Sequence, residues 1–186
     1  MKDVSKVLVF SDLHGRTKAC AALLKATERE RPDLVIGLGD FLYNGPRNGV
    51  PEDYEPMECA KMLNGIGERK LFVRGNCDSR VDEMVLSDPI LGNAAIELFG
   101  RRCGLFHGDA PSYAGLDRSK IDLFMFGHSH VYLLEKKDFA SFLNPGSVGF
   151  PKGGNPATYA ILEKDGISIR SLLDGTILLS RGWESI

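Results

Sequence analysis

The sequence predicts an α/β fold in which two stacked β-sheets are flanked by helices. Two observations predict it. The first half alternates apolar, β-branched runs with segments of helical period, and the second half is a succession of short strand-like runs with turn residues between them. A length of 186 residues fits one domain, residues 1–186, with enough chain to bury a sizeable core.

The elements follow in order. Val4–Phe10 reads as a strand from its apolar, β-branched content, and Arg16–Arg31 as a helix with Ala19, Leu23, Leu24 and Ala26 on its apolar face. Asp33–Leu38 is a second strand, Pro56–Ile66 a second helix and Lys70–Val73 a third strand. This β-α-β-α-β order implies a parallel sheet with crossover helices. Between them, the polar loop Phe41–Pro56 has no clear period and exceeds most connections in length, which marks it as a candidate lid. Strands then follow at Ala95–Phe99, Cys103–His107, Leu123–Phe126, Tyr132–Lys136, Phe139–Leu143, Thr158–Glu163, Ile167–Leu172 and Thr176–Ser180. Lys-Asp, Lys-Asp-Gly and Asp-Gly separate several of these, as in hairpins. An α/β layer feeding a β-rich layer is the expected plan.

Composition excludes several functions. The 23 basic and 25 acidic residues give a net charge of −2, so no extended basic surface for nucleic acid is expected. A small nucleotide or a strand end stays open as a substrate. The apolar run near the N-terminus, Val7–Phe10, is too short for a signal peptide, and nothing approaches the ~20 apolar residues of a membrane span. Cys20, Cys59, Cys77 and Cys103 lie far apart without a CxxC pair and read as reduced, cytoplasmic thiols. Oligomeric state is not legible; a homo-oligomer stays open.

The chemistry sits immediately after the strands. The first ends in Asp12-Leu-His14, the second in Gly39-Asp40 and the third in Gly75-Asn76-Cys77-Asp78. Two later strands end in His107-Gly108 and Gly127-His128-Ser129-His130. Ligands of open α/β sheets bind beyond the carboxyl ends of the strands. The chain has 4 histidines, and every one lies at such an end. Neutral imidazole binds divalent ions near pH 7, Asp adds oxygen that can bridge two ions, and Asn adds neutral oxygen. The i, i+2 pairs Asp12/His14 and His128/His130 would place their side chains on one side of extended backbone. A nitrogen and oxygen set of this kind suits Mn²⁺, Fe²⁺, Co²⁺, Ni²⁺ or Zn²⁺. Two such ions roughly 3.5–4 Å apart clamp an in-line displacement at phosphorus and lower the pKa of water toward ~7.

Each block has a bland reading of its own. Asp-x-His is a common turn, Asn76 could cap a helix, and His107 could be a satisfied core histidine. Their joint occurrence at five strand ends is what favours a site. Cys77 reads as a structural thiol before it reads as a nucleophile, because no third group is evident to orient a Cys–His pair. Asp78 is either an outer carboxylate that orients a ligand or a solvent-facing turn residue.

In this order the five blocks resemble the calcineurin-like metallophosphoesterase superfamily. The stretches Gly45-Pro46-Arg47-Asn48, Asn76-Cys77-Asp78-Ser79, Asn144-Pro145-Gly146-Ser147 and Pro151-Lys152-Gly153-Gly154-Asn155-Pro156 resemble the small bacterial YfcE-type phosphodiesterases. The resemblance implies a four-layer αββα sandwich with two mixed sheets. It implies that Asp12, His14 and His130 bind one metal, that Asn76, His107 and His128 bind another, and that Asp40 bridges them. Asp40, Asn76 and His107 would then be catalytic, with Asn76, Arg47, Asn48 and Cys77 facing substrate. It implies Mn²⁺ as the activating ion and attack of a dimetal-bridging hydroxide on a small phosphodiester. Cys77 stands where many relatives carry a histidine thought to assist the leaving group, so good leaving groups are expected. A phosphomonoesterase, and a non-catalytic scaffold of the same fold such as the retromer subunit, are the alternatives.

Overall fold

The structure, a computed structural model, describes residues 4–109, 116–137 and 139–186. Its first half follows the expected order: β1 (Lys6–Phe10), α1 (Thr17–Glu30), β2 (Leu34–Gly37), α2 (Pro56–Asn64) and β3 (Arg69–Val73). The three strands are parallel, with Val7 opposite Leu34 and Leu34 opposite Arg69. Helix α1 stops at Arg31, whose left-handed backbone (φ 50°) lets its N–H reach the Thr27 carbonyl. Proline in the first turn of α2 fits a position whose N–H has no helical partner.

A short helix, α3 (Asp82–Val85), and a two-residue edge strand, β4 (Ile90–Leu91), follow; both are too short to leave a periodic signal. Then come β5 (Ala94–Leu98), β6 (Arg101–Leu105), β7 (Leu123–Met125), β8 (Leu133–Lys136) and β9 (Ser141–Asn144). These five form the second sheet in the order β5-β6-β7-β9-β8. In the turn expected between β8 and β9, Asp138 lies outside the described residues.

The last three strands depart from the expected plan. β10 (Thr158–Glu163), β11 (Gly166–Ser171) and β12 (Ile177–Gly182) return to the first sheet, giving the order β12-β11-β10-β1-β2-β3-β4. β10 pairs antiparallel with β1, so the sheet is mixed and its two halves come from opposite ends of the sequence. The physical reason is burial: Thr158–Leu162 is buried without a break, which an outer hairpin strand would not be.

Alternation then builds the layers. On β1, Leu8 and Phe10 face α1 and α2 and pack with Cys20, Leu23 and Leu63. Val7 and Val9 face the other way and pack with Cys103, Leu105, Leu123, Met125 and Leu143 of the second sheet. The outer face of that sheet is covered by an aromatic cluster, Phe106, Phe124, Phe126 and Phe142. Both sheets therefore present the carboxyl ends of β1, β2, β3, β6 and β7 at one end of a two-sided core.

Candidate metal centre

Every predicted donor is brought to that end. From β1 come Asp12 and His14, from β2 Asp40, from β3 Asn76, from β6 His107, and from β7 His128 and His130. Donor atoms of Asp12, His14 and His130 lie within 4.8 Å of one another, as do those of Asp12, Asp40 and His107. A third group of the same closeness is His14, Asp40 and Cys77. The His14 Nε2 atom is 3.6 Å from Asp40 Oδ2, His107 Nε2 is 3.4 Å from the same oxygen, and His130 Nε2 is 3.4 Å from Asp12 Oδ1. Asp40 thus stands between the two groups. Asn76 joins through its Oδ1 atom, 3.2 Å from His107 Nε2, and the His128 ring packs edge-on at 5.2 Å from that of His107.

The local backbone is not extended. Among the described residues, seven non-glycine residues have positive φ, and five of them are Asp12 (56°), His14 (53°), Asp40 (57°), His128 (67°) and His130 (61°). The i, i+2 pairs therefore converge because each donor sits in a left-handed turn, not because a strand continues. Such a conformation costs about 1–3 kcal/mol per residue and persists only where surroundings over-determine it. Here they do. Asp12 and His14 N–H groups bond to the Gly39 and Asp40 carbonyls.

Two glycines are required by close approach. A Cβ on Gly75 would fall onto the Asp40 carboxylate, and one on Gly127 would fall onto Ser11 and within 3.0 Å of Asp12 Oδ2.

Outer contacts fix the tautomers. The Nδ1 atoms of His14, His107 and His130 lie 2.9, 2.6 and 2.6 Å from the carbonyls of Tyr43, Leu38 and Phe150. A carbonyl only accepts, so each Nδ1 carries the proton and each Nε2 is left to face the cluster. Asp78 resolves to the buried alternative: its carboxylate accepts the N–H groups of Asp40, Phe41 and Gly75 at 2.7–2.8 Å, tying the ends of β2 and β3 together. The 145–156 segment supports the far side. Ser147 Oγ and the Gly149 N–H both donate to the Asp12 carbonyl, and Asn144 Nδ2 donates to the Gly127 carbonyl.

Electrostatics describe a cluster of buried carboxylates and imidazoles in which His107 alone is held in its charged form, by Asp40. Burial pushes the Asp12 carboxyl up to about 7 and Asp78 up to about 6. Burial also lowers His14 and His128, and takes His130 down to about 4, so these imidazoles are neutral with a free lone pair. Burial pulls His107 down and Asp40 up, but their mutual contact outweighs it, leaving His107 at about 9 and Asp40 at about 2. Among the described residues, the buried atoms Asp12 Oδ1 and His14 Nε2 have no hydrogen-bond partner. A stranded buried acceptor costs about 1–3 kcal/mol. A divalent cation satisfies both atoms at once, so the residues fit the group.

The cluster opens into a cavity of about 890 Å³ lined by the donors together with Tyr43, Arg47, Asn48, Cys77 and Lys152. Arg47 faces it from the long loop. Asn48 also lines it, but its Nδ2 atom is committed to the Asn44 carbonyl at 2.7 Å. Burial and the neighbouring carboxylates push the Cys77 thiol up to about 12. Lys152 is absent from the sequence-based set, as are the carbonyls of Tyr43 and Phe150. The available signal was the Gly, Pro, Asn and Ser density of residues 144–156, a composition that marks a shaped loop without saying what it holds.

A mixed two-sheet core with nitrogen and oxygen donors gathered at its strand ends is the build of a metal-dependent hydrolase. The chain belongs to the calcineurin-like phosphoesterase superfamily, whose domain model matches residues 6–166. It is 37% identical over 175 residues to phosphodiesterase YfcE of Escherichia coli K12, covering 93% of this chain and 95% of the relative. A solved structure of YfcE, described as a phosphoesterase from E. coli, superposes with a TM-score of 0.87 at 35% identity, covering 95% of this chain and 98% of that one. Vacuolar protein sorting 29 from Cryptosporidium parvum has a TM-score of 0.68 at 18% identity over 97% and 100% of the two chains, a likeness of fold alone.

Proposed function

We propose that the chain is one phosphoesterase domain that hydrolyses a small phosphodiester with two divalent metal ions, Mn²⁺ first among them. The observation that carries it is the pair of buried acceptors without a partner among the described residues, Asp12 Oδ1 and His14 Nε2, beside the neutral imidazoles of His14, His128 and His130. Asp12, His14 and His130 would hold one ion, Asn76, His107 and His128 the other, with Asp40 between them. When bound, the ions supply Lewis acidity to the phosphate oxygens and bring the pKa of water toward ~7.

The chain's own residues do the rest. The carbonyls of Tyr43, Leu38 and Phe150 hold three imidazoles in the donor tautomer. Arg47 and Lys152 place positive charge at the cavity mouth, where an anionic phosphate enters. A thiol at position 77 is a weak acid and a poor proton donor to a leaving group. Aryl diesters, which leave without protonation, are therefore the preferred substrates. The diester reading rests on the 37% identity to a phosphodiesterase. A cytoplasmic location rests on four free cysteines, and among the described residues no helix is long and apolar enough to cross a membrane.

Hydrolysis of bis(p-nitrophenyl) phosphate tests this. Activity should require added Mn²⁺, vanish with chelator and fall at least ~100-fold in Asp40→Asn, because that carboxylate serves both groups of donors. Faster turnover of p-nitrophenyl phosphate would establish a monoesterase instead. Neither hydrolysis nor bound ion after a Mn²⁺ soak would establish a scaffold.

A further inference from the structure

Beside the metal cavity lies a second depression of about 350 Å³. The two share Tyr43, Cys77 and Ser79, so they adjoin. Their chemistry differs. The metal cavity is lined by donors and cations, whereas the second is walled by Leu42, Tyr54, Met57, Val81 and Val85. Tyr43, Met57 and Val81 are 48%, 62% and 64% exposed, so three large apolar side chains face water around one hollow. The one carboxylate in its wall, Asp82, is buried and already accepts the Ser79 N–H at 2.8 Å. Among the described residues, no lysine or arginine lines it. A charged arm of substrate gains nothing there, and an apolar ring gains the removal of apolar surface from water.

We propose that this depression is the subsite for an uncharged aromatic arm of the ester, so that the enzyme selects aryl or nucleobase-bearing phosphates over small alkyl ones. The inference rests on the phosphoesterase reading for the position of the phosphate. The ring would be bounded by the lining residues Tyr43, Met57, Val81 and Val85, with the phosphate on the side that shares Cys77 with the metal cavity. Tyr43 joins the two: its carbonyl holds His14, and the residue lines both hollows.

Calorimetric titration of the Mn²⁺-loaded chain with methylphosphonate, phenylphosphonate and thymidine 5′-monophosphate tests it, since each carries a single arm. Phenylphosphonate should bind at least about tenfold more tightly than methylphosphonate, the gain expected from burying one ring. The double variant Met57→Gln/Val81→Gln, at two exposed positions, should bring that ratio toward one. Thymidine monophosphate binding more tightly than phenylphosphonate assigns the arm to a nucleobase, and weaker binding assigns it to a simple aryl group. Equal binding of the methyl and phenyl ligands, or a ratio that survives the double variant, overturns the subsite. Hydrolysis of bis(p-nitrophenyl) phosphate is read in parallel. Its absence with the ratio retained sinks the diesterase reading alone, and its presence with the ratio at one sinks the subsite alone.

Discussion

Gly75→Ala adds one methyl group 35 residues away from the nearest β2-end donor in sequence and against it in space. The φ of Gly75 is not in the left-handed region, so alanine is conformationally allowed and the effect is purely one of contact. The new Cβ would lie 2.5 Å from the Asp40 nitrogen and 2.9 Å from its Cγ, where ordinary contact begins at 3.4 Å. The turn carrying Asp40 must therefore retreat by about 0.5–1 Å, or the β3 end must, at an overpacking cost of about 1–3 kcal/mol. Neither side is free to yield. Asp78 accepts from both the Asp40 and Gly75 N–H groups, and the Cys77 N–H donates to Asp40 Oδ1 at 2.8 Å. A misplacement of about 1 Å in a reacting constellation costs on the order of 10²-fold in rate. We expect kcat/KM on bis(p-nitrophenyl) phosphate to fall about 100-fold in Gly75→Ala while urea denaturation shows a folded protein weakened by no more than about 3 kcal/mol. A variant with wild-type kcat/KM would refute the claim that Asp40 position is set by this contact.

Other outcomes follow from the same coordinates. Glu30 is buried between Tyr159, whose hydroxyl donates to it at 2.6 Å, and Arg170 at 2.8 Å; burial alone would raise its carboxyl, but these partners hold it below the ordinary value of 4.5. Its contribution is complete above that value and fades as pH falls through the lower folded value, so Glu30→Gln should cost about 2 kcal/mol at pH 7 in urea unfolding, with the gap closing below about pH 4.5. An unchanged gap at pH 3 would contradict the assignment. Lys152 lines the cavity mouth and is exposed, so Lys152→Gln should raise KM about fivefold with kcat little changed, and the difference should shrink at high salt. Ser147→Ala removes a donor from the buried Asp12 carbonyl and should lower melting temperature and Mn²⁺ affinity together; loss of stability with intact affinity would separate the loop from the site.

Much of this site was legible because its signal is positional. Residue type at a strand end needs only the strand to be found, and β1, β2, β3, β6 and β7 are apolar runs that fell within two residues of their observed ends. What was not legible is conformational. Nothing in Asp12-Leu13-His14 distinguishes extended backbone from a left-handed turn, and the structure chose the turn because carbonyls of the β2 end accept its N–H groups. Asp78 could be read two ways for the same reason: its three partners come from two strand ends whose proximity is tertiary. The destination of β10 was missed although Tyr159–Leu162 carries a usable signal, an unbroken apolar run where a one-sided strand would alternate. Lys152 and the apolar hollow at Met57 and Val81 are properties of surfaces assembled from distant segments, which no local pattern encodes.

The central claim is that seven side chains from five strand ends hold two cations. Anomalous diffraction from crystals soaked in Mn²⁺ measures this directly. Two peaks per chain are expected, one in reach of Asp12, His14 and His130, the other in reach of Asn76, His107 and His128, with Asp40 in reach of both. No peak at these residues, or a single peak that leaves His107 and Asn76 without an ion, would contradict it.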